Sequence, residues 1–329
     1  MASIFSIASP QSAADFPATV GSCSRAMPRQ TQAATAIAAV LLELHSSLCI
    51  KTAAGAALEV DELHDLRVAL RRSRSLLRGF REVLGRDLQR HFGAELRWLG
   101  TATRRLRDLD VLQAALREPS TGHATLATLL PEDRIRLDAF LATERQRDAE
   151  RLGRVLNSAR LARLCRAWPV ALARLLHQSI DGAPRLGLTV DSAMRRAIAR
   201  LRRNVGDLER QRTPRALHDL RKQCKRLRYL VEPFTSLYPQ APIAALLADL
   251  KRLQTMMGEI CDRNAQLALS GGHLLGRAHG DPALRAALQR LRKGLREHAA
   301  TNEVSAVLAE FDDGRHSIDL NALCGTLKT

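Results

Sequence analysis

Two short stretches carry the residues that could do chemistry. His64, Arg67, Arg71, Arg74 and Arg78 recur every three or four positions in HDLRVALRRSRSLLR (64–78), and His218, Arg221, Lys225 and Arg228 do so in HDLRKQCKRLRYL (218–230). At about 100° per residue this spacing draws a line of cations down one side of a helix. From His64 to Arg78 the line is on the order of 21 Å long, at about 1.5 Å per step. Like charges four apart repel by roughly a few tenths of a kcal/mol per pair, so a helix serving only its own stability would alternate signs. The chemistry these groups suit is phosphate binding, because a guanidinium holds its charge and meets phosphate oxygens two at a time. The plain alternative for one such helix is a solvated Arg-rich face. Its recurrence, with the His and Arg positions kept while the spacers drift, favours a ligand.

Each line must ride on an amphipathic helix. Leu63, Leu66, Leu70, Leu77, Phe80 and Leu84 supply the apolar face of the first, with Ser73 in the one polar slot. Slid by 154 positions, Leu63-His64-Asp65-Leu66-Arg67 falls on Leu217-His218-Asp219-Leu220-Arg221, Arg72 on Arg226, Arg74 on Arg228 and Phe80 on Phe234. Leu96, Leu99, Thr101 and Asp108 land on Leu250, Leu253, Thr255 and Asp262 at the same offset. About fifty residues therefore align without a gap, the mark of an internal duplication. The copy departs from the original at Glu232, where Arg78 stood, and at Gly258 and Glu259, which replace Arg104 and Arg105.

Composition agrees with an anionic partner. The 329 residues hold 51 Lys plus Arg against 34 Asp plus Glu, a net charge of +17. Only six of the cations are lysines, although a GC-rich genome would also raise the Arg count. Aromatic residues make up 3%, too few for the base-stacking platforms of single-stranded nucleic-acid binders. The expected anion is all phosphate, with nucleic acid a secondary partner. Cysteines 23, 49, 165, 224, 261 and 324 form no CxxC pair and have no His at zinc spacing, so they read as reduced thiols and no metal or cofactor is expected. No apolar run reaches the length of a membrane span. The Ser-, Ala- and Pro-containing residues 1–30 read as a disordered leader.

Helical periodicity runs from Thr31 to Ile50, and again from Glu59–Asp61, whose acids suit an N-terminus. The copy of this second helix opens with Thr213 as cap and Pro214 at its first position. A third helix is expected over 87–116, a fourth from Pro131 to Asn157, and a connecting helix over 161–178, kinked or broken at Pro169. Asp181 to Pro184 is the best linker. The second half repeats the plan over 189–210, 214–237, 242–270 and 282–299, with a short helix near 303–311 and turns at Gly271-Gly272 and Gly280. No strand-like alternation of useful length occurs, so the fold class is all-α: half one spans 31–181 and half two 182–329. On the third helix Asp108 could orient an arginine of the stripe, or simply pair with Arg104 or Arg105.

HDLRVALRRSRSLL followed by RDLDVL (107–112), with a weaker second pair at 218–230 and 261–267, resembles the signature of the CHAD family, the conserved-histidine α-helical domain. The resemblance covers roughly residues 31–315 and implies two pseudo-symmetric four-helix bundles whose basic faces line a shared groove that binds inorganic polyphosphate. It assigns ligand contact to His64, Arg67, Arg71, Arg72 and Arg74, to His218, Arg221, Lys225, Arg226 and Arg228, and to basic positions on the third helices such as Arg97, Arg104 and Lys251; the stripe itself adds Arg78, and Asp108 with its counterpart Asp262 are the candidate orienting carboxylates. Half one, the more basic, is expected to bind more strongly. The expected role is binding in the cytoplasm at polyphosphate granules, without catalysis. The alternatives are a nucleic-acid-binding basic protein or a polyphosphate-processing enzyme. Against the latter, the chain has neither the ExExK motif of the CYTH-type triphosphatases to which CHAD domains can be fused nor a Walker-type phosphate loop.

Overall fold

A computed structural model describes residues 27–53, 58–117, 129–177, 182–297 and 303–312. The described residues are helical apart from turns, caps and one isolated bridge between Gln32 and Arg185. Half one contains α1 (Ala33–Ala53), α2 (Val60–Gly79), a short α3 (Arg81–Leu84), α4 (Arg86–Ala102), α5 (Arg104–Arg117), α6 (Pro131–Leu156) and α7 (Ala159–His177). Half two contains α8 (Leu186–Gln211), α9 (Pro214–Val231), α10 (Gln240–Leu269), a short α11 (Leu275–Arg277), α12 (Pro282–Glu297) and α13 (Glu303–Asp312). The starts of α2 and α9, and of α4 and α10, lie 154 residues apart.

Local chemistry accounts for the two helices that carry the cation lines. At α2, the Glu59 N–H donates to the Glu62 carboxylate (2.9 Å), and Asp61 adds charge favourable to the dipole. At α9, the Thr213 hydroxyl accepts from the Ala216 N–H (3.2 Å) ahead of Pro214 at N1. Leu63, Leu66, Leu70 and Leu77 on α2, and Leu217, Leu220, Leu227 and Leu230 on α9, are buried. Each contributes about 1.5–3 kcal/mol relative to an exposed position. With one face committed to the core, the flanking cations are turned outward from it.

The helices form two sets that share their interior. α1, α2, α4 and α7 pack together, as do α8, α9, α10 and α13, but α2 lies directly on α9 and both sets feed one continuous core. Phe80 and Phe234, 154 residues apart, meet edge to face with centroids 5.6 Å apart. A second, smaller core is built from α5, α6, the end of α10 and α12, so it too draws on both halves. Neither half therefore has a private interior. Buried acids on α5 and α6 tie this outer layer down: Asp133 on α6 takes two nitrogens of the Arg290 guanidinium, Asp110 on α5 accepts from Arg145 (2.7 Å) and Asp148 on α6 faces Arg105 (2.6 Å).

Three boundaries depart from expectation. Residues 1–26 of the expected 1–30 leader lie outside the described residues, and residues 27–30 are anchored, with Arg29 reaching Asp191 (2.6 Å) and the Leu237 carbonyl (2.9 Å). The expected third helix is interrupted at Thr103, whose buried hydroxyl donates to the Gly100 carbonyl (3.1 Å). Of the two alternatives at Pro169, a kink or a break, α7 excludes the break, since it continues through the proline. Gly271 and Gly272 sit inside a π-turn (Ser270–Leu274) that continues α10 into α11 rather than ending it.

Candidate anion-binding site

Where α2, α4, α8 and α9 converge they enclose a cleft of about 250 Å³. α2 contributes Arg71, Arg74 and Arg78, α4 contributes Arg97, and α9 contributes Lys225 and Arg226. Four further cations line it that the stripe reading did not include: Arg81, Arg196, Arg200 and Lys222. Against these ten the cleft has one acid, Glu82, and one aromatic ring, Tyr229. Arg81 was legible as one more step of the 74–78 rhythm, and Arg196 and Arg200 as a like-charged pair four apart on α8. Nothing in sequence places α8 opposite α2.

The cations differ in how far the protein neutralises them itself. Arg196 lies 3.4 Å from Glu82 and donates to the Ser192 hydroxyl, and Lys222 lies 2.7 Å from Asp219. Among the described residues no carboxylate pairs with Arg71, Arg74, Arg78, Arg81, Arg97, Arg200, Lys225 or Arg226. These groups press on one another instead. Burial lowers the affinity of Arg74 for its proton, and repulsion from Arg97, Arg78 and Arg104 adds to the effect. Arg226 is lowered by burial and then by Arg78, Arg200 and Arg74. Lys225 is pushed down to about 7, first by burial and then by Arg221 and Arg71, with Asp262 opposing. A guanidinium under such pressure still keeps its proton at neutral pH.

Other expected contacts are occupied or lie off the cleft. Arg72 and Arg228 both bind Glu232 (3.0 Å each) and flank the Tyr229 ring. Glu232, 154 positions after Arg78, therefore neutralises two members of the stripes. Arg67 donates to the Thr103 hydroxyl (2.9 Å), and its proton affinity is pushed down to about 10 by burial and then by Arg71. Arg221 lies 3.6 Å from Asp262 and fills space that Gly258 leaves open. Asp108 acts on Arg67 and Arg104 through its field rather than through a bond; burial raises its pKa and Asp262 adds to the rise. Arg67 is thus oriented by Thr103 instead of Asp108, and Arg105 turns away to Asp148 and Glu144. His64 and His218 are exposed at the far end of the lines, each with its pKa lowered by burial and then by neighbouring cations, Arg107 and Arg71 for His64 and Lys222 and Arg221 for His218. Arg104 and Lys251 are exposed and do not line the cleft.

Residues 154 apart meet repeatedly here. Arg71 acts on Lys225, and Asp108 on Asp262, as Phe80 touches Phe234 below them. Residues 41–271, the span that holds both lines and the cleft, match the family described as the CHAD domain. The chain belongs to the CHAD family. A crystal structure of a CHAD domain from the plant Ricinus communis is similar over 93% of this chain and 95% of that one, with 22% identity and a TM-score of 0.69. PptA from Streptomyces chartreusis is similar over 86% and 98%, with 18% identity and a TM-score of 0.54. At these identities the likeness is one of fold. No curated protein matches the sequence. Within this CHAD chain no described helix is long and apolar enough to cross a membrane.

Proposed function

We propose that this CHAD protein binds inorganic polyphosphate in the cleft between its halves, in the cytoplasm and at polyphosphate granules, without turning it over. The observation that carries the reading is the cleft's ledger of charge: ten cations, one acid, and eight cations that no described carboxylate neutralises. Each phosphate of such a chain brings one negative charge and oxygens that match guanidinium forks, while the cleft offers one ring to stack a base. Nucleic acid supplies phosphates at a lower density and carries bases that this lining does not receive. Binding built from many charge-assisted contacts falls steeply with salt, as it does for phosphate backbones in general.

The test is titration of long-chain polyphosphate into the protein across a salt series, with Arg71→Gln/Arg74→Gln/Arg226→Gln as the cleft variant and Arg285→Gln, on the exposed face of α12, as control. The cleft variant is expected to weaken binding at least about a hundredfold, taking the low end of roughly 1.5–3 kcal/mol per charged hydrogen bond, and the control to leave it unchanged. Equal effects from both, or tighter binding of tRNA and duplex DNA at matched salt, would overturn the reading. Phosphate release on incubation with magnesium would replace binding by catalysis.

A further inference from the structure

A second set of reactive groups lies away from the cleft, where α1 packs against α7. Cys49 on α1 and Cys165 on α7 are both partly exposed, and their thiols are in hydrogen-bonding contact. His45, one turn before Cys49 on the same face of α1, brings Nε2 to 3.3 Å from the Cys49 sulfur and is also hydrogen-bonded to the Cys165 backbone. A carbonyl can only accept, so that bond uses the single N–H of the neutral ring and leaves the other nitrogen as an acceptor. Two thiols and a base, drawn from helices more than a hundred positions apart in sequence, thus share one contact beside Trp168 and Leu48. Among the described residues no group of three or more His, Cys, Asp or Glu side chains is arranged to hold a metal ion, and two adjacent thiols bring a chemistry of their own.

We propose that Cys49 and Cys165 are an oxidation site that closes to a disulfide under hydroperoxides, with His45 as the base for the closing step. Cys165 reacts first. Its sulfur accepts a hydrogen bond from the S–H of Cys49, which is held protonated by that same hydrogen bond and by burial. The Cys165 sulfur attacks the O–O bond of hydrogen peroxide, giving a sulfenic acid and one water. Cys49 then passes its proton to His45, kept neutral by burial, and its sulfur displaces the hydroxyl as a second water. In sum two thiols lose two electrons, the peroxide gains them, and two waters leave. The product is a staple about 2 Å long between the first and last helices of this bundle.

Oxidation of the full-length protein with stoichiometric hydrogen peroxide, followed by alkylation and peptide mapping, tests this directly. The expected result is a single new cross-linked peptide joining Cys49 to Cys165 and reverting with dithiothreitol. Cys49→Ser is expected to leave a sulfenic acid on Cys165 that dimedone traps. His45→Gln should slow closure about tenfold or more, since a positioned base typically contributes at least that much. A cross-link joining other cysteines, two thiols that stay reduced, or oxidation of both to sulfinic acid without a bridge would overturn the proposal, and none of these readouts depends on the phosphate-binding cleft.

Discussion

Raising the pH from 7.5 to 9 at constant ionic strength is expected to weaken polyphosphate binding about twentyfold through one side chain, Lys225. Its surroundings explain the size. Burial comes first, Arg221 and Arg228 flank it on α9, Arg71 faces it from α2, and Asp262 on α10 opposes them, so its pKa falls to about 7 from an ordinary 10.5. A bound polyanion reverses that pressure and returns the ammonium toward its ordinary value. Binding strength then scales with the fraction of free protein already carrying the proton, about one quarter at pH 7.5 and about one hundredth at pH 9. The sign follows from the depressed pKa: complex formation takes up a proton, so affinity rises as pH falls through this window. His64 and His218 add nothing here, because their lowered pKa values keep them neutral above pH 7. They join in only under more acidic conditions. The assay is calorimetric titration at pH 7.5, 8.25 and 9 in two buffers of different ionisation heat, which reads proton uptake directly. Lys225→Arg keeps the charge but removes the titration, so its affinity should be flat across the range. A wild-type slope that survives unchanged in Lys225→Arg would refute the reasoning.

Three other outcomes follow from particular contacts. Glu232→Gln frees Arg72 and Arg228 together and should tighten polyphosphate binding several-fold while steepening its salt dependence. Gly79→Val forces a side chain onto Leu230 at the crossing of α2 and α9 and should lower stability by about 1–3 kcal/mol in denaturant titrations. Trp168→Ala empties the site where Phe92 meets the indole (centroids 4.4 Å apart) and should cost about 3–5 kcal/mol, read as a lower thermal midpoint.

The sequence by itself determined the helices that carry the cations, their caps and the apolar faces beneath them, because periodicity and capping act within a few residues. Leu63 and Leu217 are buried as the pattern required, and Thr213 and Pro214 open α9 as expected. It also held the family, since the HDLR stretches and their spacing survive in one dimension. Which cations stay bare was decided only by tertiary structure. Arg72 and Arg74 look alike in the stripe, yet one is bound to Glu232, 160 residues away, and the other faces the cleft. Arg67 is held by Thr103, and Arg196 and Arg200 arrive on a helix the stripes do not mention. The physical reason is that periodicity fixes a side chain's angle about its own helix axis, whereas its charge partner depends on which other helices lie across from it, and that is set by how the two halves bury their leucines in one shared core.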